Sequence, residues 1–181
     1  MEQQARTEIV SLLPRLRRFT RGLAGGAEAG DELLQATCER ALSNLHLWTQ
    51  DSRMDSWLFR IARNLFLNEI RAGKVRQAYL RDAADLLPRA EAGDRVAEGR
   101  IEMARLRALL QRLPEEQRSV LLLVCVEGQT YAQAAETLEL PIGTVTSRLA
   151  RARLNLKEWM DRDDGGAKAS LSREDRSQCG S

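Results

Sequence analysis

The stretch "LPIGTVTSRLARAR", residues 140 to 153, gathers Thr144, Thr146, Ser147, Arg148 and Arg151 within about two turns of a helix. Hydroxyls and guanidinium groups so placed suit a nucleic acid. Arginine pairs with guanine O6/N7 or with phosphate, and Thr and Ser supply short donors. A second concentration lies in "WLFRIARNLFLNEIRAGK", residues 57 to 74, where Arg60, Arg63, Asn64, Asn68, Arg71 and Lys74 recur beside apolar residues. Asparagine is a poor former of helix interiors, and on a basic face its donor and acceptor can meet a base edge. For Asn68, local hydrogen bonding beside Glu69 is the alternative role. Catalytic chemistry is far less well provided. His46 is the one histidine, and no nucleophile cluster or glycine-rich phosphate loop occurs, which argues against an enzyme. Cys38, Cys125 and Cys179 are odd in number, far apart and without a CxxC pair, so neither a disulfide framework nor a zinc site is expected. The first two sit in apolar stretches and read as core packing. Cys179 lies in a polar tail.

The elements that must carry these residues are helical. Apolar residues recur at three- and four-residue spacing without β-branched alternation, which predicts an all-α chain of two small domains joined by a linker. Residues 8 to 23 form a first helix, kinked or started near Pro14, and "AGGAEAG" at 24 to 30 breaks it. Residues 31 to 45 form a second, with Asp31 and Glu32 in its first turn. Leu33, Leu34, Thr37, Ala41, Leu42 and Leu45 make its inner face; Glu32, Gln35 and Glu39 face elsewhere. After a loop at 48 to 56, in which Asp55 or Ser56 can cap, a third helix spans 57 to 76. Leu58, Ile61, Ala62 and Leu65 point inward, and the basic row points roughly opposite. Trp57 reads as a core residue beside them.

Residues 77 to 100 hold Pro88, Gly93 and Gly99 and read as a linker. Helices follow at 100 to 113 and from Pro114 to the stop at Gly128. Thr130 caps a short helix in which Ala134 and Ala135 allow a close crossing. Pro141 suits the first position of the next helix. There Ile142, Val145, Leu149, Ala152, Leu156 and Trp159 form a stripe that must bury. A short helix, a tight turn and an amphipathic basic helix make a helix-turn-helix whose second helix would enter the DNA major groove. From Asp161 to Ser181 the polar, Gly/Ser-rich chain is expected to be disordered.

Charge supports two contacts with a polyanion. The net charge is only +2, but residues 53 to 76 carry six Arg/Lys against two acids, and 144 to 157 carry four basic residues and no acid. Between them, residues 82 to 102 carry six acids against three Arg. No apolar run approaches the roughly 18 residues of a membrane span, and the amino terminus lacks a signal-peptide core, so a cytoplasmic protein is expected.

Residues 113 to 156, with "PIGTVTSRLARAR", resemble region 4 of the extracytoplasmic-function (ECF) sigma factors of bacterial RNA polymerase. Residues 31 to 76, with "DELLQATCERAL" and "WLFRIARNLFLNEIR", resemble region 2. The resemblance implies a transcription initiation factor with region 2 at 8–76, an acidic linker at 77–100 and region 4 at 101–160. It places Thr144, Thr146, Ser147, Arg148 and Arg151 on the −35 element, and Arg60, Arg63, Asn64, Asn68 and Arg71 on the −10 element. The Asp51–Asp55 loop would help hold a flipped base. Glu32 and Gln35 would bind core polymerase. Implied partners are core RNA polymerase, through its β′ clamp helices and β flap, promoter DNA and an anti-sigma factor, commonly membrane-bound. No cofactor or metal is implied. Two other readings fit part of the sequence: a helix-turn-helix regulator without a polymerase role, and a helical interaction module for an acidic partner.

Overall fold

The computed structural model describes residues 2–49, 52–80 and 98–174. Everything regular among them is helical. α1 (Glu2–Ala24), α2 (Ala27–Ser43) and α3 (Met54–Leu80) form an N-terminal body, with a 3-10 turn at Leu45–Leu47. α4 (Glu98–Arg112), α5 (Glu115–Leu121), α6 (Tyr131–Leu138) and α7 (Ile142–Glu174) form the C-terminal one. α5 runs on as a π-helical turn, Leu122–Val126, before Gly128 ends it with a φ of 70°.

In the N-terminal body Leu16, Phe19 and Leu23 of α1 meet Leu33 and Ala41 of α2 and Leu58 and Phe59 of α3. The Phe19 and Phe59 rings lie 4.8 Å apart, tilted by 55°, a favourable aromatic geometry. Trp57 is buried as expected. In the C-terminal body Val145, Leu149 and Ala152 of α7 are buried with Val120, Leu123 and Ala134. Ala134 is fully covered, as a close crossing requires. The two bodies also meet: α1 packs on α4, α5 and the π turn, and α3 packs on α6. Their buried apolar side chains join in one cluster.

Several boundaries differ from the sequence expectations. α1 starts at Glu2 and passes through Pro14 without interruption. Only Gly25 and Gly26 break the chain after it, so α2 begins at Ala27 and Glu28, not Asp31 or Glu32, occupies its first turn. Gly30 is buried in that added turn, where a Cβ would stand 2.5 Å from the Cα of Arg21. The glycine lets α1 and α2 cross closely. α3 begins at Met54 and runs to Leu80, so Asp55 and Ser56 lie inside it rather than capping it. α7 continues to Glu174, past Asp161. Leu42 and Ile142 are exposed although their spacing placed them inward, and Cys125 is exposed rather than core. Cys38 is half-buried, and burial raises its thiol pKa. The acidic stretch 81–97 and Cys179 lie outside the described residues.

Candidate nucleic-acid interface

The turn before α7 is built by local chemistry. Thr130 Oγ1 accepts from the Gln133 N–H at 3.2 Å, and Gln133 Oε1 accepts from the Thr130 N–H at 3.0 Å, a reciprocal capping box at the start of α6. α6 ends on Glu139, whose φ of 55° is left-handed. The Leu140 N–H then reaches back to the Ala135 carbonyl at 2.9 Å, as in a Schellman end. Pro141 stands one residue before α7, not at its first position. Its carbonyl accepts from the Thr144 and Val145 N–H groups at 2.9 and 3.2 Å. With Val145, Leu149 and Ala152 anchored in the core, the opposite side of the first turns is fixed in direction.

That side presents Thr146, Ser147 and Arg151, all exposed. The two hydroxyls donate to the carbonyls of Ile142 and Thr144 at 3.0 and 3.1 Å, leaving oxygen lone pairs outward. A Cβ at Gly143 would meet nothing, so a duplex could approach the start of α7 closely. Thr144 is half-buried. Arg148 departs from the open-side expectation: its side chain is 21% exposed and pairs with Glu116 at 3.1 Å.

The row on α3 splits in the same way. Asn64, Asn68 and Arg71 are exposed, with a 3.5 Å contact from Arg71 to the Asn68 side-chain oxygen. Arg60 instead pairs with Glu139 at 2.7 Å, and Arg63 is half-buried against the C-terminal body. Burial, then the neighbouring Arg148 charge, lowers the Arg63 pKa. The side chain of Lys74, and Asp51 in the loop before α3, lie outside the described residues. On α2, Glu32 and Gln35 are exposed, and Gln35 donates to Glu39 at 2.9 Å.

Below α3 lies a charge network that spacing did not reveal. Asp55 accepts from Arg53 at 2.7 Å and Arg15 at 3.0 Å. Burial acts to raise its carboxyl, but these guanidinium groups and the Ser56 N–H outweigh it and hold the pKa below the usual carboxylate range. Arg15 also reaches Glu127, beyond the π turn, at 3.1 Å, and Arg18 joins it at 3.4 Å. Among the described residues no group of three or more His, Cys, Asp or Glu could hold a metal. No described helix is long and apolar enough to cross a membrane.

The arrangement, a helix-turn-helix behind a three-helix body with a polar row on its third helix, has close counterparts. The family model for Sigma-70, region 4 matches residues 103–156, and the Sigma2 domain of PhyR matches residues 9–63. The ECF RNA polymerase sigma factor EcfG of Rhodopseudomonas palustris is 35% identical over 151 residues, spanning 83% of this chain and 82% of EcfG. The chain belongs to the ECF sigma factors. This ECF sigma factor is also 34% identical over 151 residues to the RNA polymerase sigma factor HrpL of Pseudomonas syringae pv. syringae, with 81% of each chain covered. Among solved structures it resembles the sigma factor RpoE of Bartonella quintana, seen in complex with the anti-sigma factor NepR. The TM-score there is 0.73 and the identity 28%, with 86% of this chain and 96% of that one covered. Sigma factors are not enzymes, which agrees with a chain so poor in catalytic chemistry.

Proposed function

We propose that this ECF sigma factor divides promoter recognition between its two bodies. α7 enters the major groove of the −35 duplex through Thr144, Thr146, Ser147, Arg148 and Arg151. α3 holds the opened −10 strand through Arg60, Arg63, Asn64, Asn68 and Arg71. Glu32 and Gln35 dock on the β′ clamp helices of core polymerase, and region 4 meets the β flap. The observation that carries this reading is the start of α7, where a capped turn aims exposed hydroxyls and Arg151 away from an aliphatic anchor. A duplex offers readable edges in its major groove. A melted strand instead needs phosphate contacts and polar groups that meet bases, which α3 supplies. The protein works in the cytoplasm, where its polymerase is. An anti-sigma factor is a further partner, by analogy with the NepR complex of RpoE.

The test is footprinting of holoenzyme on a selected promoter. Arg151→Ala should lose about 1–3 kcal/mol of specific duplex affinity and with it −35 protection. Unchanged protection would remove α7 from the groove.

A further inference from the structure

Polar contacts join the start of α5 to the side of α7. Gln117 Oε1 accepts from Asn155 Nδ2 at 3.2 Å. About two turns earlier along α7, Glu116 Oε2 meets Arg148 Nη2 at 3.1 Å. Beneath these contacts Val145, Leu149 and Ala152 of α7 are buried with Val120 of α5 and Leu123 of the π turn. The Glu116 backbone is therefore fixed relative to α7. Glu116 also lies in the first turn of its own helix, where the helix dipole already favours an acid. Both members of the pair belong to the C-terminal body.

Stability does not account for the pair. The Glu116 side chain is 56% exposed, and ion pairs at so open a position contribute little. Arg148 is the more constrained partner. Its Nη1 is covered and, among the described residues, has no hydrogen-bond partner, and it faces the like charge of Arg63 on α3. A covered donor without an acceptor is costly, so Glu116 holds the guanidinium where it would not stay by itself. What the pair changes is how Arg148 can meet DNA. A free arginine is a full charge on a mobile stem, and phosphate contacts of that kind carry no sequence information. An arginine tied to a carboxylate is nearly neutral from a distance, and its remaining N–H groups point one way. Such a group gains little from phosphates. It gains most from a base edge with acceptors in register, as guanine O6 and N7 provide.

We propose that Glu116 is a positioning residue for −35 recognition: it fixes Arg148 for reading a base and suppresses its attraction to phosphate. The proposal rests on the assignment of Arg148 to the −35 duplex made above. Removing the acid has two effects of opposite sign. Binding to DNA of any sequence strengthens, because a screened cation is released to the phosphates. The choice among sequences weakens, because the released side chain no longer points at one base edge. A merely structural role for Glu116 gives no such split.

Competition binding with holoenzyme tests this. The probes are a promoter duplex selected by the wild-type holoenzyme and the same duplex with its −35 element scrambled, each titrated over a range of salt. The ratio of the two affinities is the discrimination. Glu116→Ala leaves a strong helix former at an exposed position, and circular dichroism checks its helicity. It should lower the discrimination about five-fold or more and bind the scrambled duplex more tightly. The salt dependence on that duplex should steepen by about one unit of logarithmic slope. Glu116→Gln keeps an acceptor for Arg148 and should keep most of the discrimination while steepening the salt dependence alike. On an Arg148→Ala background, Glu116→Ala should change the discrimination no further. Unchanged discrimination in Glu116→Ala, equal losses in Glu116→Ala and Glu116→Gln, or a further loss on the Arg148→Ala background would each overturn the positioning role. Arg148→Ala separates the failures. If it lowers discrimination and Glu116→Ala does not, the −35 assignment of Arg148 stands and the positioning role falls. If Arg148→Ala keeps the wild-type discrimination, the assignment falls and the positioning role with it.

Discussion

At the residue scale, the exposed pair Asn64 and Arg71 on α3 should behave unequally. Arg71→Ala should weaken binding to every single strand alike, as loss of a phosphate contact does. Asn64→Ala should reduce discrimination at one −10 position and slow opening, read by permanganate reactivity of unpaired thymines. Wild-type opening with unchanged base preference would leave Asn64 a surface residue. Ser147, Arg151, Asn64 and Arg71 stand exposed where their spacing put them. Arg60, Arg63 and Arg148 share that spacing but have partners on other helices: Arg60 pairs with Glu139 of the other body, Arg148 pairs with Glu116 of α5, and Arg63 is half-buried. Helical periodicity sees a residue's own helix and nothing packed across it. Asp55 gives a pH signature. Its folded pKa is lowered, so its stabilisation is complete above the ordinary carboxylate value of about 3.9 and is lost as pH falls through the folded value. Asp55→Asn should cost about 1–3 kcal/mol near neutrality in urea unfolding, and the gap to wild type should close below about pH 4. A gap that persists in acid would mean that the side chain acts through packing, not charge.

At the element scale, what local chemistry decides was legible. Thr130, the turn before Pro141 and the 3-4 spacing of Val145, Leu149 and Ala152 placed α6 and α7, and the structure shifts Pro141 by one position. What tertiary contact decides was not. "AGGAEAG" reads as a breaker by composition, yet four of its residues, Ala27–Gly30, are helical because Gly30 lets α2 lie against Arg21. Gly30 and Gly73 therefore make opposite predictions from the same substitution. Gly30→Ala gains about 1 kcal/mol of helix propensity but forces backbone apart, at about 1–3 kcal/mol, and should lower the melting temperature. Gly73→Ala meets nothing within 4 Å and should raise it. Equal shifts for both in thermal unfolding would show that the α1–α2 crossing is not tight.

At the scale of the whole molecule, two motifs at the right separation marked two bodies, and the described helices bear out an all-α pair. Their closure on one another was not legible. It depends on Arg15 meeting Glu127, Arg118 meeting a carbonyl of α1, and Leu122 meeting Gly22, contacts across about a hundred residues that leave no periodic trace. Glu32 and Gln35, the residues proposed to meet polymerase, lie clear of that packing and are exposed. On the proposed reading this chain, once docked through α2, lets core polymerase start at promoters that α3 and α7 select. Run-off transcription from a promoter library, with purified core polymerase and added protein, measures this directly. The wild-type chain should yield transcripts from a subset of templates sharing −35 and −10 sequences. Glu32→Lys with Gln35→Ala should abolish them at unchanged helicity, and Arg151→Ala should change which templates are used. Transcripts that do not depend on the added chain, or a double variant that transcribes the same templates at the wild-type level, would contradict the claim.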